Sequence, residues 1–143
     1  MNVNGIIAEY NPFHKGHKYL IKASKETTNA DYTIIVMSGN FVQRGAPALL
    51  NKYKRTEMAL HSGADLVLEL PLYYATSSAE YFAMGGVSLL DKLGIVTSLS
   101  FGSECGNIAA LSQIANILIE EPQDYVTILR HNLRNGQSYP TAR

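Results

Sequence analysis

Glu9-Tyr10-Asn11-Pro12-Phe13-His14-Lys15-Gly16-His17 is the stretch on which the fold turns. A short, mostly apolar run, Val3 to Ala8, precedes it, and behind it Leu20, Ile21, Ala23 and Ser24 can share a helical face. Strand, tight turn and helix start form the geometry that seats a phosphate at a helix N-terminus, where unpaired N–H groups and the dipole favour negative charge. Gly16 lets backbone approach a ligand closely, and the two imidazoles offer directional donors to phosphate oxygens. Two histidines flanking a glycine in a loop are on their own more often unrelated polar residues. The strand before, the Asn-Pro-Phe lead-in and the helix after give the pair its meaning.

Working outward, the first strand is predicted over Asn2 to Glu9 and the first helix over His17 to about Thr28. Tyr32 to Met37 is rich in β-branched residues and reads as strand two. A long loop, Ser38 to about Asn51, carries Gly39, Gly45 and Pro47 as breakers; ordered loops of this length at strand ends are often functional. Lys52 to His61 is predicted as helix two, stopped by Gly63, and Leu66 to Leu70 as strand three, closed by Pro71. After a Tyr-Tyr stretch, helix three covers Ser78 to Leu93, with Gly85-Gly86 inside it signalling close packing or a break. Ile95 to Phe101 reads as strand four, Ile108 to Ile119 as helix four, and Pro122 opens a fifth helix running to about Leu133.

Alternating strands and helices imply an α/β fold, a Rossmann-like parallel sheet with helices on both faces and right-handed crossovers. If strand four returns beside strand one, the order is 3-2-1-4. Strands one and four then flank the topological switch point, where open α/β sheets bind ligands. The segments just past those strand ends are Tyr10 to His17 and Gly102-Ser103-Glu104. Residues 1–135 are expected to form the nucleotide-binding domain, with 136–143 a polar trailing segment.

Hydrophobic residues at 46% and charged residues at 17% of 143 fit a globular domain with a substantial core. No apolar run approaches membrane-spanning length, and no membrane partner is expected. The single cysteine, Cys105, excludes an internal disulfide and fits a reducing cytoplasm. It reads better as a small residue in a turn than as a catalytic thiol. Net charge is zero, which argues against a dominant nucleic-acid surface. Residues 1–60 nevertheless hold eight of the twelve Lys and Arg against four acids, and residues 61–143 hold four against eight. No His/Cys/Asp/Glu pattern suggests a zinc site.

The turn, its strand and its helix give the chain a resemblance to the H-x-G-H nucleotidyltransferase superfamily, whose members transfer AMP or CMP from a nucleoside triphosphate. The commoner members carry G-x-F-x-P-x-H-x-G-H; Glu9, Tyr10 and Asn11 stand in its first positions here, which points away from pantetheine-phosphate or nicotinamide-mononucleotide adenylyltransferases. Four motifs in order, E-Y-N-P-F-H-K-G-H, M-S-G-N-F-V-Q-R-G-A-P-A (37–48), D-L-V-L-E-L-P (65–71) and F-G-S-E (101–104), resemble the bacterial tRNA(Met) cytidine acetate ligase family. That resemblance implies ATP-dependent activation of acetate to acetyl-adenylate and acetylation of the wobble cytidine of elongator tRNA(Met). It also implies magnesium arriving with ATP, and a longer chain whose missing C-terminal region makes most of the contact with tRNA.

Under this reading His14 and His17 are catalytic, stabilising charge on the α-phosphate and the departing pyrophosphate. Gly16 is the close-approach residue. Ile7, Ala8, Glu9 and Asn11 line the nucleoside side, while Tyr10, Pro12, Phe13, Lys15 and Leu20 complete the binding segment. Gly102 and Ser103 pack against adenine or ribose across the switch point. Arg44, Lys52 and Arg55 would clamp phosphate or RNA backbone, or else be exposed helix charges. Phe41, Val42 and Gln43 are candidates for an acyl pocket, and Glu69 is expected to cap a loop rather than hold magnesium through water. Two other classes stay open: a nucleotidylyltransferase acting on a phosphorylated small molecule, and a non-catalytic nucleotide- or RNA-binding module.

Overall fold

The computed structural model describes residues 1–43 and 45–142. Four strands, β1 (Val3–Ala8), β2 (Tyr32–Ser38), β3 (Leu66–Leu70) and β4 (Ser98–Ser100), form one parallel sheet in the order β3-β2-β1-β4. This is the order expected if the fourth strand returns beside the first, with the crossover reversing between β1 and β4.

Period-two alternation divides the core between the two sheet faces. Ile6, Ile35 and Met37 pack with Ile21 of α1 (Lys15–Thr27) and Ala59 of α2 (Lys52–His61). Val3, Ile34, Val36 and Leu70 pack on the other face with Ala75 of α3 (Leu72–Ala75) and Leu90 of α4 (Ala79–Lys92). Helices therefore cover both faces, which is why β1 and β2 are buried almost throughout. The buried Asn4 would be costly in that setting without partners. Its amide nitrogen donates to Ser24 Oγ at 3.0 Å, and its oxygen accepts from Ser100 Oγ at 2.8 Å and Ser98 Oγ at 3.3 Å. One polar side chain so fixes α1 and β4 against β1.

Gly85 and Gly86 are explained by close packing rather than a break. A Cβ on Gly85 would run into the Tyr74 ring, and one on Gly86 would lie 2.7 Å from Ile7 Cδ1. Helix α4 thus continues across both glycines and sits tightly on α3 and β1.

Several boundaries differ from expectation. Helix α1 begins at Lys15, two residues early, because His14 caps it. Strand β4 is three residues long rather than seven: only Ser98, Leu99 and Ser100 find partners, opposite Asn4, Gly5 and Ile6. The Tyr-Tyr stretch coils into α3 directly after Pro71, whose fixed φ suits a helix start.

The chain divides into two compact units, Met1–Gly102 and Ser103–Arg143. The second comprises α5 (Ile108–Glu120), α6 (Gln123–Arg134) and the short α7 (Tyr139–Ala142), and no residue of α5 or α6 is buried. The boundary expected after residue 135 falls inside this unit, and the trailing segment contains α7. No helix among the described residues is long and apolar enough to cross a membrane.

Candidate functional site

At the carboxyl end of β1 the chain makes a turn that its own side chains hold. Tyr10 adopts φ 52°, in the left-handed region that few non-glycine residues enter, and the Asn11–Pro12 bond is cis. The Tyr10 ring is buried and stacks edge-on against Phe13 with centroids 4.8 Å apart, and tilted against His17 at the same separation. Its hydroxyl has no hydrogen-bond partner among the described residues, and burial pushes its pKa well above the ordinary tyrosine value. A buried, unpartnered phenol on strained backbone is the sort of local cost that gathers at functional sites.

The two histidines form a reciprocal cap. Gly16 N–H donates to His14 Nδ1 at 3.1 Å, and His14 N–H donates to His17 Nδ1 at 3.2 Å. The arrangement is that of a capping box, with imidazoles in place of the usual hydroxyl and carboxylate. The rings stack with centroids 3.6 Å apart and planes 22° from parallel. Since both rings accept at Nδ1, each neutral imidazole carries its proton on Nε2, leaving two N–H donors free for a ligand. The His17 pKa is lowered by partial burial and then by the charge of His14. His17 is therefore biased toward its neutral, donating form.

The cap also alters what the helix end can offer. Gly16 N–H is taken by the imidazole, and the amides of His17 and Lys18 both donate to His14 O at 3.0 and 3.2 Å. Three first-turn amides are engaged, so the imidazole donors add to the helix dipole in facing an incoming anion.

The long loop 39–51 is tied to this turn. Gln43 N–H donates to Glu9 Oε1 at 2.6 Å, and Leu49 N–H donates to Asn11 Oδ1 at 2.7 Å. At the centre lies Arg55, fully buried. Its Nη1 donates to Glu9 O at 2.6 Å and Ser38 O at 3.0 Å, its Nε to Leu50 O at 2.9 Å, and its Nη2 to Gly39 O. Arg55 is therefore neither a phosphate clamp nor an exposed charge. A guanidinium has the donors to satisfy several strand-end carbonyls at once, and Arg55 uses them to bind β1, β2 and the loop to α2. The signal was present in sequence: Arg55 lies four residues before Ala59, on the buried face of the same helix.

Lys52, three residues away, turns outward to Glu69 at the carboxyl end of β3, with Nζ and Oε2 2.6 Å apart. Glu69 thus pairs with a lysine, while its other carboxylate oxygen lies beside Gly39 at the start of the loop. Arg44 lies outside the described residues. Phe41 is half exposed and bridges Pro47, while Val42 is buried inside the loop.

Among the remaining candidates, Ile7 packs on Gly86, Ala8 and Leu20 lie against the α1/α2 core, and Pro12 and Lys15 are exposed. Gly102 follows β4 by two residues and has open space where a side chain would go. Ser103 begins the second unit, where its hydroxyl lies 3.3 Å from Cys105 Sγ and accepts from Gly106 N–H. Cys105 is exposed, and the Ser103 hydrogen bond lowers its pKa.

Comparison with known proteins places these features in a family. The HIGH Nucleotidyl Transferase family matches the chain over residues 1–143. A tRNA(Met) cytidine acetate ligase of Acetivibrio thermocellus is 56% identical over all 143 residues, which cover 34% of that protein. One from Thermoanaerobacter sp. is 58% identical, again over the whole chain and 36% of the relative. The chain thus spans about a third of the length of the curated relatives it matches. A crystal structure of Thermotoga maritima TmcAL bound with alpha-thio ATP superposes with a TM-score of 0.90 at 50% identity, covering 100% of this chain and 35% of that one. Sheet order, histidine turn and family match agree, and the chain belongs to the HIGH nucleotidyl transferase family.

Proposed function

We propose that this chain is the adenylating part of a tRNA(Met) cytidine acetate ligase. The observation that carries the reading is the His14–His17 pair: two stacked imidazoles that accept backbone N–H bonds at Nδ1 and so turn Nε2 toward a ligand at the start of α1, beside the switch point. An acetate oxygen attacks the α-phosphorus of ATP, and the bond from that phosphorus to pyrophosphate breaks. Charge grows on the α-phosphate oxygens and the leaving group, where His14 and His17 donate. Preorganised donors of this kind need no reorganisation as charge develops. The acetyl-adenylate formed is then attacked at its carbonyl carbon by N4 of the cytidine, which loses a proton as AMP departs.

The segment Ile7 to His17, with Leu20 behind it, forms the nucleotide side in this reading, and Gly102 meets the nucleoside from across the switch point. The described residues hold no cluster of three His, Cys, Asp or Glu. In this reading magnesium arrives bound to the triphosphate oxygens of ATP. The body of tRNA(Met) is met mainly by the region that the relatives carry beyond the length matched here.

Acetate-dependent exchange of pyrophosphate into ATP, measured on the full-length protein, tests the proposal. His17→Ala should lower that exchange by about 10²–10³-fold, the usual loss for one preorganised donor. Exchange that proceeds without any carboxylic acid, or that needs a phosphorylated acceptor, would sink it in favour of another nucleotidylyl transfer.

A further inference from the structure

One strand over from the histidine turn, a cleft of about 370 Å³ opens between the carboxyl ends of β2 and β3 and the first turns of α2. Met37 and Val67 give it an apolar floor, and Ser38, Lys52, Thr56 and Glu69 bring polar groups. Ser38 is fully buried, yet its hydroxyl has no partner among the described residues. Such a group is costly unless something supplies the missing bond. Tyr53, also on the wall, is three-quarters exposed, with Lys52 Nζ 5.6 Å from its ring centroid.

The charges decide what kind of ligand suits this cleft. Lys52 is already matched by Glu69, and the Glu69 carboxylate stands where a small carboxylate ligand would be repelled. A neutral, flat molecule with a donor for Glu69 and an acceptor for Ser38 fits instead. Cytosine has this pattern: its exocyclic amine donates to carboxylates, while its ring nitrogen and carbonyl accept. Uracil, with a carbonyl in place of the amine, would set an acceptor against the Glu69 oxygens. Exposed aromatic rings are also the usual platforms for bases drawn out of a strand.

We propose that this cleft receives the acceptor cytosine, with Glu69 taking a hydrogen bond from the exocyclic amine, the Ser38 hydroxyl donating to the base, and Tyr53 stacking on it. This rests on the acetate-ligase reading and adds to it the place where the acceptor enters. The location suits the chemistry. The carbonyls of Glu9 and Ser38 share a single Arg55 nitrogen, so the cleft floor and the histidine turn are neighbouring strand ends, about 4.8 Å apart across the sheet.

The test uses full-length protein and an anticodon stem-loop RNA carrying 5-iodocytidine at the target position, irradiated and mapped by mass spectrometry. The cross-link is expected on the peptide containing Tyr53. In binding assays with the unmodified stem-loop, the preference for cytidine over uridine at that position should fall by roughly tenfold in Glu69→Gln. Ser38→Ala should lower cytidine affinity several-fold, and serves as the second probe if Glu69→Gln does not fold. A cross-link mapping away from the cleft, or an undiminished cytidine preference in both variants, overturns the proposal. Acid-dependent pyrophosphate exchange needs no RNA. If it persists while the cross-link maps elsewhere, the subsite alone is wrong; if it fails, the acetate-ligase reading goes with it.

Discussion

His17 shows how much chemistry a single residue's surroundings can set. Partial burial and the neighbouring His14 both disfavour its charged form, so its native pKa lies below the ordinary 6.5. As pH falls, the unfolded chain takes up this proton first, and the native state loses stability relative to it. The group's contribution is thus complete above about 6.5 and is lost on acidification below that range. Protonation would also turn Nδ1 from an acceptor into a donor facing the His14 N–H, opening the cap. We expect the His17 ring protons to titrate below the ordinary range by NMR, with the His14 amide losing exchange protection over the same interval. A His17 that titrates at or above 6.5 in the ligand-free protein would contradict the geometry described. The cap itself was hidden in the sequence, because histidine is not a usual capping residue. Two histidines around a glycine read as phosphate ligands, so sequence alone starts the helix at His17 rather than at Lys15.

Among the elements, α2 carries the heaviest consequence. Arg55→Met would fill a similar volume but take the guanidinium donors from the buried carbonyls of Ser38 and Gly39 and the part-buried ones of Glu9 and Leu50. Several orphaned acceptors together should cost about 3–5 kcal/mol, visible as a lower urea midpoint. A change below about 1 kcal/mol would mean that water replaces the guanidinium. The sheet was largely legible before the structure: the β-branched run Tyr32 to Met37 located β2, the short apolar run closed by Pro71 located β3, and the order β3-β2-β1-β4 followed once the fourth strand was taken to return beside the first. Strand β4 was over-read because an apolar, β-branched stretch, Ile95 to Phe101, looks like a strand whether or not a neighbour is there to pair with it. Helix α3 was missed because four residues give no period to detect. Burial of Arg55 was missed because charge dominates a reading by residue type, while its buried face follows from position relative to Ala59.

For the whole molecule, stability should be far from uniform. The buried residues of β1 and β2 are sealed between two helical layers, whereas α5 and α6 have no fully buried residue, and Ile108, Ile114, Ile117 and Ile128 stand exposed. Hydrogen exchange on the 143-residue chain should find the amides of Ile6, Ile35 and Val36 among the slowest and those of α5 and α6 among the fastest. Equal protection in the two units would refute this. The site was legible in its backbone, since the switch point locates it, but its wiring was not, because bonds such as Gln43 to Glu9 and Leu49 to Asn11 join side chains to amides about 35 residues away. That wiring carries an evolutionary consequence. One nitrogen of Arg55 holds the strand end behind the histidines together with the strand end beside the cleft, so neither loop can drift in sequence alone. Substitutions in Glu9–Asn11 and in 39–51 should show strong epistasis, with effects that depend on which partner residue the other loop already carries.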